Sequence, residues 1–232
     1  MDGLACPETP DGFPDTRRAR WIAIVSALMS EEDQSTDSEV ISPPGWTTEE
    51  WKPTFANSVV WNILGLLLVI AGFIGFGILA VVLSGETTLE MGLGSFPILG
   101  LMLIATLVIH ELVHGAAMLL FGARPQFGFA LIQRILPVAY CTSPGHWFTR
   151  GQFFVVALAP VVLISVVGVA LMPIGDLAAW MVIPLAINLG GGIGDLWMAG
   201  MLLRRPADVM IEDLRDGLRF HEPERDRAGS PA

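Results

Sequence analysis

The stretch Phe96–Phe121, FPILGLMLIATLVIHELVHGAAMLLF, decides how the rest of the chain is interpreted. It has the length of a membrane span, which takes about 20 helical residues. His110, Glu111 and His114 interrupt its otherwise apolar sequence. Ionisable groups persist at membrane depth where they pair, bind a metal or face a watery cavity. The stretch therefore predicts a transmembrane helix that carries a polar site.

Three further apolar stretches are long enough to cross a bilayer: Val59–Leu83, Phe153–Ile174 and Leu177–Leu203. Only Asp195 interrupts the last of them with a charge. Apolar residues make up 53% of the chain and charged residues 16%, whereas a soluble domain carries about 25% charge. We therefore predict an all-α polytopic membrane protein with about four transmembrane helices.

The charges divide the chain into three parts. Residues 1–57 are predicted to be an acidic, mostly disordered N-terminal tail, and residues 58–205 the membrane-embedded domain. Residues 206–232 form a charged C-terminal tail, in which Ala207–Arg219 could make one short helix. The net charge of −10 excludes a nucleic-acid-binding protein, which needs a basic face. Two distant cysteines, Cys6 and Cys141, exclude a disulfide scaffold.

Arginines indicate the orientation in the membrane. The loop Gly122–Gln152 contains three of them and residues 204–232 contain six, whereas residues 84–95 contain none. Because positive loops stay inside, both termini are predicted to be cytoplasmic, in the plasma membrane. Within that loop, Pro125–Leu131 and Ile135–Cys141 are apolar and β-branched, which favours a small β-hairpin. An apolar loop packed on the helix ends is the alternative.

The motif His110-Glu111-Leu112-Val113-His114 predicts a zinc site. Two histidines at i and i+4 lie on one face of a helix and can bind a single metal ion. Glu111 lies beside them, where it can act as general base on a water activated by zinc. The alternative is a structural cluster in which these side chains hydrogen-bond to neighbouring helices.

A catalytic zinc needs a third protein ligand, and Asp195 is the first candidate. His114 precedes Arg124 by about the same number of residues as Asp195 precedes Arg204, so both lie at a similar depth at 1.5 Å per residue. Asp195 could instead pair with a polar neighbour such as Asn62 or Asn188. His146, in a turn-like stretch before the third span, is the rival ligand.

The segment from Asn188 to Asp195, NLGGGIGD, contains four glycines within a membrane helix. Small residues permit tight packing of helices. Alternatively, the helix is locally unwound beside a polar site. In the second case Asn188 could donate a hydrogen bond to a developing oxyanion.

The order of these features resembles the core of site-2-type intramembrane zinc metalloproteases: a motif span, a hairpin, a span, and a span bearing an aspartate. The stretch Arg150–Pro160 is similar to the entry of the middle helix of that core. More closely, the chain resembles a family of zincin membrane peptidases classified as a domain of unknown function. That resemblance rests on the motif helix, on Phe148–Phe153 (FTRGQF) and on Gly194–Trp197 (GDLW).

The residues and the resemblance together predict a membrane-embedded zinc metalloendopeptidase. Zinc would be held by His110, His114 and Asp195, with Glu111 as general base. Its substrates would be membrane or membrane-proximal segments of other proteins, within a lipid bilayer and without nucleic acid. Two alternatives stay open: a non-catalytic metal-binding membrane protein, and a pseudo-protease that binds client helices.

Overall fold

A computed structural model of the chain describes residues 44–85, 92–132, 136–174 and 176–224. Of the tail predicted over residues 1–57, residues 1–43 lie outside the described residues, and Trp46–Trp51 form a strand. The described helices are α1 (Phe55–Ser84), α2 (Ser95–Leu120), α3 (Arg150–Leu171), α4 (Leu177–Gly191) and α5 (Ile193–Leu202). The described strands are β1 (Trp46–Trp51), β2 (Gln126–Ile132), β3 (Leu136–Thr149), β4 (Met210–Leu214) and β5 (Gly217–Pro223).

Helices α1, α2 and α3 are each long and apolar enough to cross a membrane. Helices α4 and α5 meet at a bend of 43° and qualify as a fourth span only when taken together. These elements match the four apolar stretches of the sequence and are consistent with a membrane protein. Large apolar side chains on the outer faces of α1 and α2 are exposed, as expected of surfaces that contact lipid.

Two helices begin at a threonine that accepts a hydrogen bond from the backbone three residues later. Thr54 and Asn57 form this reciprocal capping box at the start of α1. Thr149 and Gln152 form the second one at the start of α3. Each box satisfies two backbone N–H groups that a helix start leaves unpaired. These caps fix the points where the chain leaves the strands and enters the helices.

The predicted all-α fold is wrong, because the strands form one five-stranded antiparallel sheet in the order β1-β5-β4-β3-β2. The expected hairpin is present as β2 and β3, in which Phe127 lies opposite Cys141. Strand β1 lies in the predicted N-terminal tail, and strands β4 and β5 lie in the predicted C-terminal tail. Their register joins residues far apart in sequence, such as Trp46 and Pro223.

The helix predicted over Ala207–Arg219 is also wrong. Strands β4 and β5 occupy this segment and are joined by the two residues Arg215 and Asp216. Its charged side chains concealed the alternation of a strand, because Glu212 and Arg219 lie on the outer sheet face and pair with each other. The pairing partners of these strands lie elsewhere in the chain, so local sequence carried no signal for them.

The sheet collects three parts of the chain at one end of the helices. Strand β1 precedes α1, strands β2 and β3 lie between α2 and α3, and strands β4 and β5 follow α5. The segments before α1, between α2 and α3, and after α5 must therefore lie on the same side of the helices. This arrangement agrees with an even number of crossings, with α4 and α5 acting as one broken span.

The main core lies between the inner face of the sheet and the helices. Its members are fully or nearly fully buried apolar side chains from α2, α3, α5 and the strands, including Met118, Phe148, Phe153, Leu202, Ile211 and Phe220. A second cluster joins α1 to α3 and α4 and includes Ala80, Met172, Val182 and Leu185. The first core fixes the sheet against the helix ends that carry the polar site.

Candidate metal centre

The two motif histidines lie side by side on the inner face of α2. Their ring centroids are 4.9 Å apart. Both side chains are largely enclosed, with about one tenth of their surface exposed: 12% for His110 and 11% for His114. This is the arrangement that the i, i+4 spacing predicts, since one helical turn separates the two residues.

Asp195 reaches the histidines because the fourth span is broken. Helix α4 ends at Gly191, Gly192 forms the junction, and Asp195 lies in the first turn of α5. A side chain at Gly192 would collide with Val161 of α3, so the junction requires glycine for the close approach. The break therefore has a definite consequence, which is to turn the Asp195 carboxylate toward α2.

The glycine-rich segment from Asn188 to Asp195 both permits tight packing of helices and interrupts the helix, which the sequence left as alternatives. Gly192 provides the break, whereas Gly190 packs against Val69 and the backbone of Gly65 on α1. Packing of small residues and interruption of the helix thus occur at neighbouring positions. The first fixes α1 against α4, and the second positions Asp195.

The carboxylate of Asp195 faces both imidazoles. Oδ2 lies 3.1 Å from His110 Nε2, and Oδ1 lies 3.3 Å from His114 Nε2. The three side chains offer ligand atoms that all lie within 4.8 Å of one another. Ligands bound tetrahedrally at 2.0–2.1 Å lie about 3.3 Å apart. The donor set and its spacing therefore fit a zinc ion, with a fourth position left for water or substrate.

The other ring nitrogen of each histidine is already engaged. His110 Nδ1 donates a hydrogen bond to Asn188 Oδ1 at 2.9 Å. His114 Nδ1 donates to the backbone oxygen of Val156, also at 2.9 Å. A neutral imidazole with its proton on Nδ1 presents a lone pair at Nε2. Two such lone pairs facing a carboxylate are favourable when a cation lies between them, so this arrangement suits a metal ion.

Asn188 contacts the site through His110. It is 4% exposed, and its Nδ2 has no hydrogen-bond partner among the described residues. Buried amide groups are rarely left unpaired. The residue thus orients a candidate ligand with Oδ1 and keeps an unused donor at Nδ2. The alternative partner considered for Asp195, Asn62, instead donates to the Ser58 oxygen on α1.

Neither of the two remaining histidines joins this group. His146 lies where the register between β3 and β4 shifts, and its ring packs on Phe148 with centroids 4.4 Å apart. His221 lies on the outer face of the sheet and stacks on Trp147 with centroids 3.9 Å apart. Among the described residues, the only group that could hold a metal consists of His110, His114 and Asp195.

Glu111 is half-buried, and its charge acts on two residues of the sheet. Burial, together with the negative charges of Glu111 and Asp213, raises the pKa of the Cys141 thiol to about 12. Burial and the charges of Asp195 and Glu111 raise the pKa of the Asp213 carboxyl well above its usual range. Strands β3 and β4 therefore place Cys141 and Asp213 within electrostatic range of Glu111.

Sequence reasoning missed Asp213 and Cys141 as neighbours of the site. The available signal was the alternation of Met210–Leu214, which places Asp213 on the same face as Ile211. Assigning that segment to a helix removed the signal, because a helix would place the two residues on different faces.

The site thus combines two histidines of one helix with an aspartate of another, a group that could hold a metal ion. Residues 103–210 match the family model DUF3267, described as "Putative zincin peptidase". This range includes both histidines, Glu111 and Asp195, and it spans a little under half of the chain. The match supports a zincin-like family and a zinc metallopeptidase. No curated protein and no solved structure matches the chain.

Proposed function

We propose that this protein is a membrane-embedded zinc endopeptidase. One observation carries the proposal: His110 and His114 both present Nε2 to the Asp195 carboxylate while each Nδ1 is hydrogen-bonded elsewhere. The family match supports metallopeptidase chemistry. The membrane setting is supported by the length and hydropathy of the helices.

His110, His114 and Asp195 would hold the zinc. When bound, zinc supplies Lewis acidity, which polarises a carbonyl group and makes a water molecule more acidic. Glu111 follows His110 directly on α2 and accepts the proton that the attacking water loses. The Glu111 carboxyl then delivers this proton to the amine that leaves when the peptide bond breaks.

Asn188 contributes to the same reaction in two ways. Its Oδ1 fixes the ring of His110. Its unpartnered Nδ2 can donate a hydrogen bond to the carbonyl oxygen as that oxygen gains negative charge. A buried donor that finds its partner only in the substrate stabilises the transition state more than the ground state.

The substrate would be a membrane or membrane-proximal segment of another protein. The site lies within helices that could span the bilayer, near the end where they meet the sheet. Strand β2 is an edge strand among the described strands, so an extended substrate could pair with it. Pairing would hold the peptide in the extended form that proteolysis requires.

We further propose that the sheet lies on the cytoplasmic side of the plasma membrane. Arginines concentrate in the segments that carry strands β2 to β5. Trp51, Trp61 and Trp197 form a chain of ring contacts near the sheet, with centroids 6.1 Å apart in both pairs. Tryptophan is enriched at membrane interfaces, so this chain supports a bilayer boundary close to Asp195.

The test compares wild type with Glu111→Gln in native membrane vesicles. New protein N-termini produced after zinc loading would be identified by mass spectrometry. We expect Glu111→Gln to keep its zinc and to lose these cleavages, because Gln preserves the shape of the side chain but cannot accept the proton. Glu49→Gln, on the exposed strand β1, is the control and should cleave as wild type does.

Cleavage by Glu111→Gln at the wild-type rate would refute the role of Glu111 as general base. Zinc binding without any cleavage difference would favour a non-catalytic metal-binding protein. Replacement of both motif histidines without any effect in cells would favour a pseudo-protease.

A further inference from the structure

The inner face of strand β4 presents a carboxyl group to the candidate site. Ile211 is fully buried in the core between the sheet and the helices. Side chains on a strand alternate between faces, so Asp213 lies on the same inner face as Ile211. Its position in the register is opposite Ser143 of β3 and Leu218 of β5. Asp213 is thus in a central strand and directed at the helix ends.

Asp213 lies close enough to the site to interact electrostatically with its acids. The charges of Asp195 and Glu111 add to burial in raising the pKa of its carboxyl. Asp213 and Glu111 also both act on the Cys141 thiol, which lies on β3. Three carboxyl groups therefore lie within electrostatic range of one another: one on α2, one on α5 and one on β4.

Asp213 has no hydrogen bond or ion pair among the described residues. The basic side chains of the sheet pair with other acids. Lys52 contacts Asp216, Arg205 contacts Glu49 and Glu222, and Arg219 contacts Glu50 and Glu212. Arg215, two residues along the chain, lies over the ring of Tyr140. A partly buried carboxylate without a partner is unfavourable, and such groups cluster at functional sites.

The acidic groups Asp195, Glu111 and Asp213 indicate that a group bound beside them would carry a positive charge. Burial and the nearby acids raise the pKa of Asp213 and so favour its neutral form while no cation is present. A positive charge brought by the substrate would favour the ionised form and supply the partner that Asp213 lacks. A second metal ion is less consistent with the geometry, because Asp213 is not part of a metal-binding group among the described residues.

We propose that Asp213 is a specificity-determining residue that binds a positively charged group of the substrate, a Lys or Arg side chain or a free α-amine, beside the bond to be cleaved. This inference rests on the proposed peptidase function. It names a substrate class: polypeptides with a basic group next to the scissile bond. The Asn188 donor and the Asp213 acceptor would then contact opposite charges of the same peptide.

The first test measures binding without turnover. Full-length, zinc-loaded Glu111→Gln protein in detergent is titrated with two acetylated, amidated peptides that differ only in a central Lys or norleucine. We expect the Lys peptide to bind about tenfold more tightly, as a buried charge pair permits. Adding Asp213→Asn should abolish the preference, and adding Asp213→Lys should reverse it toward a Glu peptide.

Asp216→Asn is the matched control. It also removes one carboxylate, but from the connection between β4 and β5, where Asp216 is exposed and pairs with Lys52. The preference for Lys should persist in this variant. Equal binding of the two peptides, no binding of either, or loss of the preference only in Asp216→Asn would overturn the proposal.

The second test uses turnover. Wild-type protein and Glu111→Gln are incubated with a randomised peptide library, and the products are sequenced by mass spectrometry. Cleavage with a basic residue enriched at one fixed position, lost in Asp213→Asn, is the expected result. Cleavage without a basic preference would overturn the role of Asp213 and leave the peptidase intact. If the protein binds the Lys peptide selectively but cleaves nothing, the proposed peptidase function is overturned and the cation-binding role of Asp213 remains.

Discussion

Asn188 Oδ1 accepts a hydrogen bond from His110 Nδ1 over 2.9 Å, across 78 positions of sequence. The bond sets the tautomer of the imidazole and directs Nε2 at Asp195. Groups that orient ligands in this way contribute strongly to metal affinity. The site is therefore built by at least five residues, counting Val156, whose backbone oxygen holds His114.

Asn188→Ala is expected to lower zinc affinity by about 10–100-fold, because the ring of His110 loses its anchor. Competition with a chromophoric zinc chelator in detergent measures the effect. Asn62→Ala serves as the control, since the amide of Asn62 only contacts the Ser58 oxygen on α1. Unchanged affinity in Asn188→Ala would show that the bond does not position the ligand.

Metal content distinguishes ligands from neighbours. We expect near-stoichiometric zinc in wild type, Glu111→Gln and His146→Ala, and loss of zinc in His114→Ala and Asp195→Asn, by mass spectrometry of purified protein. The reason is geometric, because only the last two changes remove a ligand atom from the group around His110. Zinc retained by Asp195→Asn and lost by His146→Ala would transfer the third-ligand role to His146.

Gly115→Ala is expected to destabilise the protein by about 1–3 kcal/mol, the usual range for overpacking. The added methyl group would collide with the ring of Phe127 on β2. Chemical denaturation in detergent measures the change, and adding Phe127→Ala should recover part of it. Gly100→Ala, on the same helix in open space, should be neutral or stabilising. Equal effects of the two glycine replacements would contradict the contact.

Glu212→Ala should cost about 3 kcal/mol of unfolding free energy, as expected when one partner of a buried ion pair is removed. Glu212 is 6% exposed, binds Arg219 at 2.9 Å and accepts a hydrogen bond from the Gly145 N–H at 2.7 Å. Glu49→Ala removes an exposed partner of Arg205 and should cost no more than about 1 kcal/mol. Denaturant titrations of both variants test the difference, and a small effect in Glu212→Ala would refute it.

Cys141 should react slowly with iodoacetamide at pH 8. Burial first, and the charges of Glu111 and Asp213 second, raise its pKa from 9.0 to about 12. At a pH below both values the thiolate population falls about a thousandfold, since each pH unit changes it tenfold. In a Cys6→Ser background the alkylation rate should climb steadily as the pH approaches 11, and Glu111→Gln should increase it. A rate that levels off near pH 9 would contradict the shift.

Local sequence was sufficient for the helices and for part of the site. The apolar stretches predicted the spans, and the His-Glu-x-x-His spacing placed His110 and His114 together because a helix brings i and i+4 to one face. Depth matching predicted that Asp195 lies level with His114, and the two side chains do meet. The hairpin of β2 and β3 was also predicted, since its two strands are adjacent in sequence and both apolar.

The sheet could not be derived in the same way. Strands β1, β4 and β5 are short and charged, and β1 pairs with β5 through residues such as Thr48 and His221, which are 173 positions apart. Backbone hydrogen bonds hold such pairs, and they leave no mark on residue identity. The helix wrongly assigned to Ala207–Arg219 followed from judging this segment without its partners.

The sequence by itself determined the apolar helices, the His-Glu-x-x-His motif and the glycine-rich approach to Asp195, because each depends on a short helical period or on local backbone freedom. Only the tertiary structure decided that Asn188 holds His110, that Gly192 separates α4 from α5, and that Asp213 lies on the inner face of the sheet. These relationships join elements that meet through packing between distant segments, and packing is specified by the whole chain rather than by any one stretch.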